Sequence, residues 1–129
     1  MGRPRGFDEE AAVVAAAALF AGRSYDGTSV DDLVGQTGVH RGSLYKTFGS
    51  KRGLYLAALR HYVDRELGER GDLRFLLLAA AERAPVDSEV AAEVTRGIRL
   101  LDRGDGEEAT TVALGLRIRE LAEGNHGGR

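Results

Sequence analysis

Apolar residues recur at helical spacing near the start of the chain. The residues on this spacing are Val13, Ala16, Ala17 and Phe20. Positions three and four apart share one face of a helix, so this run provides a face that can be buried. Acidic residues precede it and favour the positive N-terminal end of a helix. The pattern predicts a first helix over residues 8–23.

Two shorter helical patterns follow, separated by a glycine. A hydroxyl at Thr28 or Ser29 is suited to cap the first of them, with an acid three residues later to complete a capping box. Gly38 then supplies a sharp turn, for which we expect a positive φ. The next helix is expected over residues 40–47, with Leu44 facing inward.

Helical patterns also fill the rest of the chain. A fourth helix over residues 51–67 has Ser50 as its cap, and the fifth ends before Pro85. The sixth begins at Asp87 or Ser88, and a seventh follows it. The alternation typical of strands is nearly absent, so the sequence predicts an all-α protein.

The two short helices, the glycine turn and the longer helix before them make a helix-turn-helix, whose second short helix enters the major groove of DNA. We therefore expect a three-helix DNA-binding domain over residues 1–50, with a linking helix over 51–67. A small helical dimerisation or regulatory domain is expected over 68–123, followed by a flexible tail over 124–129.

The charge distribution supports a nucleic-acid interface. Between Asp32 and Asp64 the chain has five basic residues and no acid. Since the whole chain has a formal charge of −2, the remainder must carry −7. A basic patch on an otherwise acidic protein attracts a polyanion to one face. The other interpretation of the five cations is an ordinary solvated helix surface.

Composition argues against several other classes of protein. The chain has no cysteine and therefore no disulfide or thiolate site. Its apolar runs, such as residues 75–81, are far shorter than the ~20 residues of a membrane span, and its start lacks the apolar core of a signal peptide. His61 and Asp64 lie at helical spacing but lack a third ligand or catalytic partner. We expect a cytoplasmic protein that is not an enzyme and has no metal, cofactor or membrane span.

An ordered set of residues extends through the segment LFAGRSYDGTSVDDLVGQTGVHRGSLYKTFGSKRGLYLAAL. Its most specific parts are the stretch YDGTSVDDL, then Gly38-Val39, Leu44-Tyr45 with Phe48, and Lys51 with Leu54. Over residues 7–63 this set resembles the DNA-binding domain of the TetR family of transcriptional regulators. The resemblance implies that helices two and three read DNA, and that helix four leads to a dimerisation and ligand-binding domain.

The resemblance also implies which residues contact double-stranded DNA. Thr28 or Ser29 matches a phosphate-contacting hydroxyl, and Lys51 matches a lysine that touches the DNA backbone at the start of the fourth helix. The positions that match the surface of the recognition helix are Arg41, Gly42, Ser43, Tyr45, Lys46 and Thr47.

Several positions have two interpretations. Gly42 allows a close approach to the duplex or marks a frayed helix start, and His40 is either a phosphate contact when protonated or an ordinary exposed histidine. Arg3 and Arg5 belong to an arm that enters the minor groove or stays in solvent. Ser24 departs from the family pattern, which usually has glycine at the end of the first helix.

The C-terminal half is shorter by several helices than in members of that family. Apolar helix faces without a partner in the same chain must be buried between subunits, so we expect a homodimer. Tyr62, Phe75 and Leu78 either line a residual pocket for a small-molecule effector or are simply core.

The expected function is repression through a palindromic operator bound by two recognition helices. The alternative is a truncated family member without ligand sensing, which pairs with a full-length regulator or another protein.

Overall fold

The computed structural model describes residues 7–70 and 72–127, and within these ranges the chain forms seven helices and no strand. They are α1 (Glu9–Arg23), α2 (Val30–Thr37), α3 (Arg41–Phe48), α4 (Lys51–His61, continued by Tyr62–Glu66 and Leu67–Arg70), α5 (Arg74–Leu78, continued by Ala79–Arg83), α6 (Ser88–Asp105) and α7 (Glu107–Gly127). The predicted all-α fold is confirmed.

Local signals define the ends of the first helices. The Asp8 side chain accepts a hydrogen bond from the backbone N–H of Ala11 and caps α1. Ser29 and Asp32 form the expected capping box at the start of α2. Gly38 ends α2 with φ 73°, a left-handed conformation that costs glycine little. The turns that separate α1, α2 and α3 are therefore encoded locally.

Two helices contain a π-helical turn, at Tyr62–Glu66 in α4 and at Ala79–Arg83 in α5. A π turn adds one residue to the helical ladder and changes the direction in which the following side chains point. In α5 the turn is closed by the hydrogen bond from the backbone N–H of Ala84 to the carbonyl of Ala79 at 2.9 Å.

One hydrophobic core extends from the first helices into the second half of the chain. The ring of Tyr55 in α4 meets Phe20 of α1 edge-on at 4.9 Å between centroids, and Phe75 of α5 at 5.6 Å. All three side chains are buried. The helix-turn-helix is thus packed on the same core as α5, with α4 between them.

Helix α6 lies close to α4 and α5 because Gly97 has no side chain. A Cβ at this position would lie 3.1 Å from a methyl group of Leu67 and 3.2 Å from one of Leu76, which is tighter than ordinary packing. Only Gly106, with φ 96°, separates α6 from α7.

Helix α7 leaves much of its apolar surface in solvent. Val112 is 59% exposed, and Leu116 and Ile118 are both 55% exposed. Leu114 packs against the core. The helix continues to Gly127, so residues 124–127 of the tail expected over 124–129 are helical in this structure, while its flexibility stays a prediction. Among the described helices, none is both long enough and apolar enough to span a bilayer.

Candidate nucleic-acid interface

Helix α3 has one buried anchor and an outward polar face. Leu44 is 1% exposed and fixes the helix on the core. The exposed residues are His40, Arg41, Gly42 and Lys46, and the half-buried ones are Ser43, Tyr45 and Thr47. A helix of this kind presents hydrogen-bonding groups to the solvent side, which is what recognition of base edges requires.

The start of α3 is held more weakly than the starts of its neighbours. His40 occupies the N-cap position but makes no side-chain capping bond. Gly42 lies in the first turn, and a Cβ added there would meet no atom within 4 Å. Packing within the described protein therefore gives no reason for glycine at position 42, and the site is open toward solvent.

Three of the five expected cations lie on α3 or at the start of α4 and make no strong ion pair among the described residues. Arg41 is 3.3 Å from Asp31, and the side chains of this pair are 60% and 90% exposed, so solvent screens the attraction strongly. Lys46 and Lys51 make no ion pair within the described residues. No buried carboxylate among the described residues neutralises these three cations, so their charges are available to attract a polyanion.

The other two cations face the second half of the chain. Arg52 contacts both oxygens of Asp87, at 2.7 and 3.0 Å, and Arg60 is 3.6 Å from Glu89 and from Glu93. The five-residue basic patch expected from the sequence is thus wrong for Arg52 and Arg60. Their acids come from α6 and its cap, which are distant in the sequence.

Lys51 is positioned by an aromatic ring. Its Nζ atom lies 4.2 Å from the centroid of the Tyr25 ring, a cation–π contact that restrains the side chain at the first turn of α4. Ser50 accepts a hydrogen bond from the backbone N–H of Gly53. The first N–H groups of a helix lack intrahelical acceptors, so this end of α4 is suited to an anion.

The two hydroxyls at the start of α2 have different environments. Ser29 is exposed and also caps the helix. Thr28 is 1% exposed and its hydroxyl donates to the carbonyl of Ser24 at 2.6 Å. The structure therefore leaves Ser29 as the hydroxyl accessible to a phosphate, and corrects the assignment of Thr28 to a DNA contact. Arg3 and Arg5 lie outside the described residues.

The three residues expected around an effector do not enclose one cavity. Tyr62 and Phe75 border an open groove of about 640 Å³ beside α1, whereas Leu78 borders a separate groove of about 600 Å³ beside α7. Tyr62 and Phe75 are themselves almost fully buried. Burial raises the pKa of the Tyr62 hydroxyl, which donates to the carbonyl of Asp72. The prediction of one pocket shared by these three residues is therefore wrong, and Tyr62 and Phe75 are mainly core residues.

Sequence reasoning missed the contacts that join α5 to the turn between α1 and α2. The Glu82 carboxylate accepts hydrogen bonds from the backbone N–H groups of Tyr25 and Asp26, at 2.7 and 2.8 Å. Arg74 donates to the carbonyl of Ala21 at 2.7 Å. These partners are separated by more than fifty residues, so local spacing gave no signal for them.

Comparison with known protein families agrees with this geometry. Residues 12–58 match the N-terminal model of the family described as bacterial regulatory proteins, tetR family. This range contains α2, α3 and the start of α4, together with most of α1.

Curated relatives match the same half of the chain. The HTH-type transcriptional repressor ComR of Escherichia coli (strain K12) is 45% identical over 64 residues, which are 50% of this chain and 30% of ComR. The transcriptional repressor BdcR of the same organism is 43% identical, over 50% of this chain and 33% of BdcR. An uncharacterized HTH-type transcriptional regulator of Bacillus subtilis (strain 168), YezE, is 41% identical, over 50% of this chain and 33% of YezE.

The matched segment spans about a third of each of these relatives. The second half of the chain lies outside all three matches, and no solved structure matches the chain significantly.

Proposed function

We propose that this protein is a transcriptional regulator that binds a palindromic operator as a homodimer. The premise is that residues 12–58 are a helix-turn-helix domain of the tetR family of bacterial regulatory proteins. The observation that carries the proposal is the outward face of α3. Its cationic side chains are exposed and its hydroxyl-bearing side chains are half-buried, while Leu44 anchors the opposite side in the core.

The contacts divide into those that read bases and those that set position. Arg41, Ser43 and Lys46 lie on the recognition helix and are assigned to base edges. Ser29 and Lys51 lie at the starts of α2 and α4 and are assigned to phosphates on either side of the groove. Tyr45, Thr47, His40 and Gly42 complete the surface that faces the duplex.

The exposed apolar side of α7 supports a homodimer. Val112 and Leu116 lie four residues apart on one face of α7, exposed apolar side chains of this kind are unfavourable in water, and a second copy of the same helix would cover them. A two-fold axis would place two α3 helices in successive major grooves, about 34–36 Å apart. The target site would then be an inverted repeat.

Repression is the proposed outcome, because a dimer on an operator blocks access to a promoter. Two of the relatives matched by the DNA-binding half are named repressors. The proposed site of action is the cytoplasm, where bacterial DNA lies. A small-molecule effector would release DNA only if it binds the DNA-free conformation of the dimer more tightly than the DNA-bound one. In the DNA-free conformation, the distance between the two α3 helices would not match successive major grooves.

The test is selection of bound sequences from random duplex DNA, at two salt concentrations. We expect a two-fold symmetric motif that is lost in the double variant Arg41→Ala, Lys46→Ala. The matched control is Arg99→Ala, Arg103→Ala, which removes two exposed cations from α6. The control should select the same motif as the parent protein. Absence of any enriched motif for the parent protein would refute the proposal.

A further inference from the structure

We propose that Glu82 of α5 is a positioning residue for the DNA-reading helices, which acts from behind the helix-turn-helix without touching DNA. The inference rests on the proposed function, since it concerns how firmly α2 and α3 are presented to a duplex. It assigns a role in DNA recognition to a residue that lies outside the segment matched by the family, residues 12–58.

The first observation is the bidentate contact at the turn between α1 and α2. One oxygen of Glu82 accepts from the backbone N–H of Tyr25 at 2.7 Å, and the other accepts from that of Asp26 at 2.8 Å. Hydrogen bonds from N–H groups to a carboxylate are about twice as strong as those between neutral groups. Two of them to adjacent residues fix both the position and the orientation of the turn.

The turn held in this way needs external support. It follows Ser24, whose φ of 74° places a non-glycine residue in a region that side chains disfavour. It is also the connection that determines where α2 starts, at the Ser29 cap. Because α2 packs between α1 and α3, a shift of this turn would displace the recognition helix.

The second observation is the local geometry of α5. Glu82 and Arg83 lie in the π turn Ala79–Arg83, and such turns are rare and occur frequently at functional sites. Arg83 lies over the ring of Tyr25, with its guanidinium carbon 4.4 Å from the centroid. The same ring holds Lys51 at 4.2 Å. The π turn therefore directs two successive side chains onto the residue that supports a phosphate-binding lysine.

Charge makes the role of Glu82 testable, because its two possible effects have opposite signs. If only the summed charge mattered, removing an acid from a DNA-binding protein would tighten binding to any duplex. If Glu82 positions the reading helices, removing its charge weakens binding to the operator despite the lost repulsion.

The experiment compares Glu82→Gln with Asp26→Asn in the full-length protein. Both variants remove one negative charge at the same turn, but Asp26 contributes only its backbone N–H to the contact with Glu82, so the control keeps that contact. Affinity is measured by fluorescence anisotropy, on the duplex selected by the parent protein and on a random duplex of equal length. The ratio of the two affinities is the readout, because the fraction of folded protein cancels in it.

We expect Glu82→Gln to lower this ratio by about tenfold, and Asp26→Asn to leave it unchanged. An unchanged ratio in Glu82→Gln overturns the inference, as does a tighter complex with the selected duplex. If Glu82→Gln does not fold, Glu82→Asp decides, because it keeps the charge but cannot reach both N–H groups. For Glu82→Asp too, an unchanged ratio or a tighter complex with the selected duplex overturns the inference. A parent protein that shows no preference for any duplex refutes the proposed function instead.

Discussion

At the scale of single residues, Lys51 shows how the fold positions a cation for the proposed contact with DNA. Its charge is left without a carboxylate among the described residues, while the Tyr25 ring restrains its side chain. Burial raises the pKa of the Tyr25 hydroxyl, so the ring stays neutral under Lys51 well above neutral pH. A restrained cation loses less entropy when it meets a phosphate.

Substitution of Lys51 by alanine tests this role. We expect Lys51→Ala to weaken binding to all duplexes alike, and to reduce the slope of log affinity against log salt by about one unit. Anisotropy titrations at four salt concentrations measure this slope. Arg99→Ala removes an equal charge from α6 and should leave the slope at the parental value. Equal slopes for Lys51→Ala and the parent protein would exclude the phosphate contact.

Arg41 is expected to behave differently, because it lies on the recognition helix. Solvent screens its ion pair with Asp31, so breaking this pair to form a hydrogen bond with a base edge costs little free energy. Arg41→Ala should lower affinity for the preferred base at one position per half-site by roughly 1–3 kcal/mol, and so relax the selected motif there. Selection from random DNA measures the effect. A uniform loss of affinity with an unchanged motif would reassign Arg41 to a phosphate.

Ser24 has a conformational cost, and it is a position where the sequence departs from the family pattern. It occupies the position where the TetR family, which this chain resembles, usually has glycine. Its φ of 74° and ψ of 172° are backbone angles that glycine adopts more readily than serine. Ser24→Gly should raise the free energy of unfolding by about 1 kcal/mol, although it removes the hydroxyl that accepts the N–H of Gly27 at 3.1 Å.

Urea denaturation measures this change in stability. Ser43→Gly is the matched control, because Ser43 lies within α3, where glycine should destabilise by about 0.5–1 kcal/mol. Destabilisation by both substitutions would show that the conformation of Ser24 carries no net strain.

At the scale of elements, the start of α6 is joined to the start of α4. Asp87 caps α6 by accepting from the N–H groups of Glu89 and Val90, and it also receives Arg52. The Arg52 guanidinium, helped by these N–H groups, lowers the pKa of Asp87 from its ordinary value near 3.8 to about 2. A lowered pKa in the folded state means that the ionised form stabilises the fold.

This contribution should be present above about pH 4 and be lost as the pH falls toward 2. Asp87→Asn keeps a capping side chain but loses the charge. We expect it to lower the free energy of unfolding by about 1 kcal/mol at pH 7, with the difference from the parent protein shrinking as the pH approaches 2. Thermal unfolding between pH 2 and 7 measures this. A difference that stays constant with pH would exclude the ionised Asp87 as its source.

Much of the element structure follows from local sequence, and so do several features of the site. The capping box at Ser29, the left-handed Gly38, the inward Leu44 and the cap at Asp87 are each determined by residues within one helical turn. The exposed face of α3 follows from the same periodicity. These predictions succeeded because helix ends and faces depend on nearest neighbours.

What the sequence did not reveal depends on residues that are distant along the chain. The acids that pair with Arg52 and Arg60 come from α6 and its cap, so an absence of nearby acids was misleading. The buried hydroxyl of Thr28 donates a hydrogen bond to the backbone carbonyl of Ser24. The spacing of apolar residues along the sequence does not indicate the two π turns. Each of these outcomes requires tertiary contacts that spacing alone does not specify.

At the scale of the whole molecule, exposed apolar surface lies on the helix farthest along the chain from the reading unit. The tetR-type segment ends at residue 58, whereas the exposed leucine, isoleucine and valine of α7 begin at Val112. Recognition and proposed association are thus assigned to opposite ends of the chain.

A charged residue on α7 should therefore separate the proposed dimer without unfolding the subunit. Leu116 is 55% exposed, so Leu116→Glu removes no core contact. We expect the parent protein to elute as a dimer at micromolar concentration and Leu116→Glu as a monomer with the same helical content. Val86→Glu, at a residue 71% exposed outside α7, should remain a dimer. A monomeric parent protein would contradict the homodimer.

The single residue between α6 and α7 has a mechanical consequence for such a pair. Gly106 is the only residue between α6 and α7, and the two helices also pack against each other, so a shift of one helix should displace the other. Because Arg52 and Asp87 join the other end of α6 to the start of α4, a rearrangement at the proposed dimer contact would be transmitted toward the proposed DNA-reading surface.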